Sequence, residues 1–256
     1  MKISVKIDGL DALQAKLRGL AESKIKVAAV AALNDAAYVG AQETKKTMDR
    51  VFDRPTPWVK GGVRYVKARR DKLESSIDFD QWGNKTNVTV GKVLAAEISG
   101  GQRKYKRHET ALQRAGILPP GMFIVPGPGA ERDAYGNMPS SQIVQIVSWF
   151  RAFGEQGYKA NSTDKTRARL GKDKKNGTRG FAYFVLRQKT GKLPAGIYQR
   201  FAFAAGSAVK LVMIFAKAPN YKSRLDFYGV AEKAARAEFN RAFPMYLDKL
   251  LKERGL

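Results

Sequence analysis

The sequence predicts an α+β protein: a mostly antiparallel sheet with N-terminal helices and a long C-terminal helix packed on it, plus a basic, partly irregular insertion. Three observations carry this. Short segments that alternate apolar and polar residues, bounded by Gly, Asn or Asp, occur toward both ends of the chain. Two long stretches, 23–53 and 227–254, place apolar or alanine residues every three or four positions. Between them, residues 99–180 are rich in Gly, Pro and cations.

"ISVKI" (3–7) alternates and predicts a short strand. A helix follows, capped by Asp8 or Asp11, with Leu10, Leu13, Leu17 and Leu20 at helical spacing. The second helix spans about Ser23 to Asp53, with Val27, Val30, Asn34, Ala37, Ala41, Met48 and Phe52 in register. Its alanines permit close approach to a helix or sheet. Asn34, Ala37 and Ala41 are therefore candidates for packing against the sheet or a neighbouring subunit. "RPTPW" (54–58) stops this helix, because proline lacks an amide donor and restricts the residue before it.

Segments 62–69, 73–79 and 87–91 read as an antiparallel meander. The insertion then begins: a short helix in "ALQRAGILPPG", an ordered Gly/Pro loop in "FIVPGPGAERDAYGNMP", and an amphipathic helix over 140–153. Segment 161–180 has one leucine and no aromatic residue, too little apolar surface to order itself. Strands resume at 181–188, 195–204 and 209–216, joined by hairpin turns. The last helix carries Tyr228, Ala231, Ala235, Phe239, Ala242, Tyr246 and Leu250 on one stripe, with Pro244 inside it to kink or split it. The expected organisation is a body of 1–98 and 181–256 interrupted by an insertion of 99–180.

The chain has 256 residues, 44% of them apolar, enough for a folded core. Its 47 Lys and Arg against 23 Asp and Glu give a net charge of +24. A compact body so charged repels itself and favours an anionic partner. The absence of cysteine excludes disulfides, thiolate metal sites and cysteine nucleophiles. The first residues alternate instead of forming a signal peptide, and the longest apolar runs are too short to span a bilayer. The expectation is a protein made in the cytoplasm, with no membrane partner.

A catalytic constellation is not apparent. His108 is the one histidine and lies among cations in "KYKRHET". Asp78 with Asp80, and Glu131 with Asp133, are acidic pairs better suited to balancing nearby cations than to catalysis. A magnesium-dependent nuclease using Asp78, Asp80 or Glu74 is the weaker alternative. "GPGAER" has Arg132 where a dinucleotide loop needs glycine, "GKDKKNGT" lacks the ending of a phosphate-binding loop, and no G-x-S-x-G elbow occurs. The sequence predicts no enzyme, no cofactor and no metal site.

Two basic runs flank the insertion. Arg103, Lys104, Lys106, Arg107 and Arg114 form the first. Lys165, Arg167, Arg169, Lys172, Lys174, Lys175 and Arg179 form the second. Scattered cations without aromatic platforms suit phosphate contact more than base reading, so DNA binding would be sequence-independent. An acidic protein neighbour fits the same residues.

Several stretches resemble the tail completion proteins of long-tailed phages, the minor tail protein Z type. "G-L-x-x-L" (Gly9, Leu10, Leu13) precedes a helix carrying "A-x-N-x-x-A" (Ala32, Asn34, Ala37). Further on, "PAGIYQR" (Pro194 to Arg200) precedes a second strand and a long helix. "FIVPGPGAERDAYGNMPSSQIVQI" is similar to segments of prophage-encoded tail proteins. The resemblance covers 3–70 and 181–250; the insertion is larger than the family pattern. It implies an α+β subunit without enzymatic activity, a homo-oligomeric and by resemblance hexameric ring, and a place in the virion tail or neck. There it would join other tail or connector proteins, its basic residues meeting either the end of the double-stranded DNA or acidic rings of those proteins. The alternative function is a sequence-nonspecific nucleic-acid-binding protein.

Overall fold

A computed structural model describes residues 2–6, 22–80, 88–173, 177, 179–203 and 206–252. The expected leucine-patterned helix after the first strand, the strand residue Asn87, and the candidate cations Lys174 and Lys175 lie outside the described residues. The fold is α+β, with seven α-helices and antiparallel sheets among the described residues. Two compact units share the chain: 1–101 with 221–256, and 102–220 between them.

In the first unit, α1 (Glu22–Val51) is a 30-residue helix that ends just before the proline-containing stop. Ala28, Ala29, Ala32, Leu33, Ala36, Ala37 and Ala41 are all buried, a wide face that one neighbour alone cannot cover. On one side stands a three-stranded antiparallel sheet in the order β1 (Lys2–Lys6), β3 (Glu74–Phe79), β2 (Val63–Val66). Ser75 on β3 donates its hydroxyl to Leu33 O at 2.9 Å. On the other side lies α7 (Phe227–Lys252), burying Phe227, Ala231, Ala235 and Ala242. Pro244 sits inside α7, and the helix runs through it without being split. A short α2 (Pro57–Gly61) precedes β2, with Thr56 accepting from Val59 N.

Gly40 marks the closest approach. A Cβ there would lie 2.6 Å from Ile77 Cδ1 on β3, 2.9 Å from Ala231 O and 3.3 Å from Ala235 Cβ on α7. The isoleucine tip could shift, but the α7 carbonyl is backbone. Thr44, fully buried, gives its hydroxyl proton to Gly40 O at 2.9 Å and so avoids an unpaired polar group.

The third strand expected of the meander is instead the start of a helix. Thr89 accepts from Lys92 N as a cap, and α3 (Val90–Ser99) buries Val90, Leu94 and Ile98 at four-residue spacing. The Val88–Val90 alternation mimicked a strand; the four-residue series beyond it decides the element. The end of α3 holds the chain returning at 221–226. Glu97 O accepts from Arg224 N and Leu225 N, and Ser223 donates to Ile98 O at 2.7 Å.

After the two-residue strand β4 (Gly101–Gln102), a four-stranded antiparallel sheet in the second unit has the order β5 (Met122–Pro126), β8 (Gly206–Lys217), β7 (Gly196–Phe203), β6 (Ala182–Leu186). The strands expected to rejoin the body after residue 180 thus belong with the preceding segment, and the inserted unit runs to Asn220. β5 itself was expected as loop. Its five residues pair with Met213–Lys217, a partner about ninety positions away that no local pattern announces. The glycines after it keep the backbone against β8: Gly127 and Gly129 donate to Val212 O and Leu211 O, both at 2.8 Å. A Cβ at Gly127 would fall 2.3 Å from Leu211 O. This is what "GPGAER" does.

Among the described residues this unit has three α-helices, α4 (Arg107–Arg114), α5 (Ser140–Trp149) and α6 (Asp164–Leu170), with a 3₁₀ turn at Glu155–Ala160. α6 corrects, for residues 164–170, the expectation that the 161–180 segment cannot order. Thr163 caps it by accepting from Thr166 N, and Leu170 packs on the second core. That core holds Leu112, Ile146, Trp149, Tyr183, Ile197, Val212 and Met213, and Trp149 donates its ring N–H to Tyr183 O at 2.9 Å.

Replacing Gly40 by Ala should lower stability by about 1–3 kcal/mol through overpacking. Gly61→Ala, where nothing lies within 4 Å, should stay within about 0.5 kcal/mol of the parent. Chemical denaturation followed by circular dichroism measures both.

Candidate anion-binding surface

The two basic runs fall in the second unit, which carries 21 Lys and Arg against 6 Asp and Glu, a net of +15. The structure divides those cations into two kinds.

Arg103 is of the first kind and corrects the sequence assignment. It is not offered to a partner. Its guanidinium grips Glu109 with two bonds, Nη1 to Oε2 at 2.7 Å and Nη2 to Oε1 at 2.6 Å, and lies 4.7 Å over the Phe123 ring. The Arg103 side chain is 15% exposed and Glu109 is fully buried. The carboxylate also accepts from Lys106 N at the start of α4 and from Ile124 N on β5. One buried acid therefore fastens a loop, a helix start and a strand. Burial pushes the Glu109 carboxyl up, but Arg103 and the two backbone amides outweigh it and hold it below the usual range. His108, one residue before, is half-buried, and burial with the nearby Lys106 cation pushes it down to about 4.

Arg167 is also committed inside the protein. It stacks over the Trp149 ring, bonds to Trp149 O and pairs with Asp164. Arg151 takes the same Asp164 at 2.6 Å. Asp173 accepts from Gly180 N at 2.7 Å.

The second kind faces solvent. Lys104, Lys106, Arg107 and Arg114 are exposed around α4; Lys165, Arg169 and Lys172 are exposed on and after α6. Arg179 is exposed and lies 4.4 Å over the Phe203 ring. Sequence reading passed over Arg187, Lys189, Lys192, Arg200 and Lys210, all exposed on or beside the β6–β8 strands. They do not form a dense run, so only strand placement reveals them.

The packing candidates lie in the first unit. Asn34 is half-buried and closes a pair of hydrogen bonds on the backbone of Ala68, accepting from its N–H at 2.7 Å and donating to its carbonyl at 3.4 Å. It thereby satisfies a residue just past β2. Ala37 and Ala41 are buried within the chain's own core and present no surface to a neighbouring subunit.

An open cleft of about 770 Å³ lies beside the three-stranded sheet, lined by Arg64, Lys67, Arg69, Lys72, Glu74, Asp78 and Asp80 among others. Its acids are engaged: Asp80 with Arg64 at 3.9 Å, Glu74 with Lys72 at 3.7 Å, and Asp78 accepting from Phe79 N at 2.6 Å. No group of three metal-ligating side chains gathers among the described residues. No described helix is long and apolar enough to cross a membrane.

Comparison with protein-family models, with curated proteins and with solved structures gives no match to this chain.

Arg103→Ala should cost about 3–5 kcal/mol, because it strands a buried carboxylate. A double-mutant cycle of Arg103→Met with Glu109→Gln should return a coupling of at least about 1 kcal/mol.

Acid should weaken the protein through both neighbours. The lowered Glu109 contributes stability that is present above the ordinary carboxylate range and lost as pH falls through its folded value. The unfolded chain also protonates His108 near 6.5, well before the folded protein does near 4, so stability falls across that window. His108→Gln should flatten the stability–pH curve between those values, and the wild-type imidazole resonance should titrate near 4.

Proposed function

We propose that this chain is a structural, non-enzymatic subunit of a phage tail or head–tail neck. Copies assemble into a ring that completes the tail and joins it to the head connector. The chain is made in the host cytoplasm and ends in the virion. Its second unit meets an anionic surface there, either the DNA end or an acidic protein ring. The observation that supports this best is the charge distribution. The second unit carries +15 of the total +24, and Glu109, Asp164 and Asp173 are already held by internal partners. The exposed cations are left to an outside anion. The sequence resemblance to tail completion proteins supplies the setting.

A second reading, a sequence-nonspecific nucleic-acid-binding protein acting as a monomer or dimer, draws on a separate observation. Arg179 over Phe203 and Lys210 over Phe201 join cation and aromatic ring, the components of a single-strand groove. Mass in solution separates the two, since the ring reading requires a multimer.

Binding of two unrelated DNA duplexes and of polyglutamate, titrated against salt, tests the anion. For DNA contact the two duplexes should bind equally, with a log–log salt slope of about −0.9 per phosphate neutralised. Reversing Lys165, Arg169 and Lys172 to Glu should lower that slope by up to about 3. Contact with an acidic protein shows instead as preference for polyglutamate. Strong preference for one duplex sequence would overturn the proposal.

A further inference from the structure

The first basic run carries an aromatic residue at its centre, Tyr105, with Lys104 and Lys106 on either side and Arg107 next. Its ring lies nearly flat on the ring of Phe123, with centroids 4.4 Å apart and planes 14° from parallel. Phe123 is buried on β5, yet Tyr105 is 39% exposed. The exposed Tyr38 and Tyr228 meet their ring neighbours edge-on instead. Laid flat on a buried ring, Tyr105 turns its opposite face outward.

The loop that carries this ring is held on both sides of it by the buried Arg103–Glu109 pair. Arg103 Nη1 donates to Lys104 O at 3.2 Å as well as to Glu109, and Lys106 N donates to the same carboxylate at 2.6 Å. Arg103 also lies over Phe123, the ring that supports Tyr105. The tyrosine thus stands between two fixed points, a preorganised surface that loses little freedom on binding. Glu109 is the one acid between Arg103 and Arg114, and it is fully buried. An incoming anion meets Lys104, Lys106 and Arg107, all exposed, and no opposing surface charge from this run.

We infer that Tyr105 is a stacking platform for an unpaired base of a single-stranded nucleic acid, with Lys104, Lys106 and Arg107 taking the neighbouring phosphates. The inference deepens the nucleic-acid arm of the proposed function and rests on it. The ring selects the partner. A carboxylate-bearing protein surface would be matched by the cations alone. A single strand brings flat π-faces and phosphates together, and aromatic stacking beside cations is how such strands are held. A duplex keeps its bases stacked on one another, so along its length it offers phosphates and base edges but no base face.

The test uses the full chain. Fluorescence anisotropy compares an oligothymidylate of about ten nucleotides with a duplex of equal phosphate number. The single strand should bind more tightly. Tyr105→Leu keeps an apolar contact on Phe123 and removes the aromatic face. It should weaken single-strand binding about five- to a hundredfold, with the duplex affinity, the salt slope and the circular dichroism spectrum unchanged. Tyr105→Phe keeps the face and should stay within about twofold of wild type. Cross-linking of an iodouracil-substituted strand to the wild type, mapped by mass spectrometry, is the second measurement, and it decides the matter if the Tyr105→Leu variant misfolds. The cross-link should fall on Tyr105. Duplex binding as tight as single-strand binding, a folded Tyr105→Leu variant of unaltered affinity, or cross-links that avoid Tyr105 overturn the platform and leave the anion-binding reading intact. Binding of polyglutamate with neither nucleic acid bound overturns the platform and the nucleic-acid arm together.

Discussion

The first unit depends on Gly40 having no side chain. At that residue α1 meets α7 and β3 together, within a distance that even a methyl group would violate. The alanines around it, Ala36, Ala37 and Ala41 on α1 with Ala231 and Ala235 on α7, let two helices lie close along their length. Ile77 lies against α1 at Gly40, and Phe79 lies against α7, where the Phe79 and Phe227 rings meet at 4.5 Å. Polar ties then fix the register of packed surfaces that apolar contact alone would leave free to slide. Asn34 holds Ala68, Ser75 holds Leu33, and Tyr246 donates to Asp35 at 2.6 Å across 211 positions of sequence.

The second unit is organised by a charge in place of a gap. Glu109 is fully buried in a unit dominated by cations, and four hydrogen bonds hold its carboxylate. A buried pair of this kind gives little net stability compared with apolar packing, yet is costly to break. Its structural consequence is positional, since the loop at Arg103, the start of α4 and Ile124 on β5 must come to one point. The cations not committed in this way remain in solvent.

Periodicity made much of the fold legible. The long helices α1 and α7, strands β2, β3 and β6–β8, and the amphipathic α5 follow from repeats of two or of three to four residues, because burial on one face imposes those spacings. The α+β class followed from their order. The high charge and the candidate cations were equally plain, being composition.

Tertiary structure decided what spacing could not. Val88–Val90 looked like a strand until Thr89 capped a helix, and "FIVP" looked like loop until β8 supplied its partner. Segment 161–180 looked unable to order until Leu170 and Arg167 found the core beside Trp149. The strands after residue 180 were assigned to the wrong unit because a strand's own sequence does not name its neighbour. Arg103 and Arg107 are the same residue type four positions apart; one is held by a buried carboxylate and the other faces solvent. Local pattern records which residues want burial, whereas pairing between segments far apart in the chain determines which strands join and which charges are already matched.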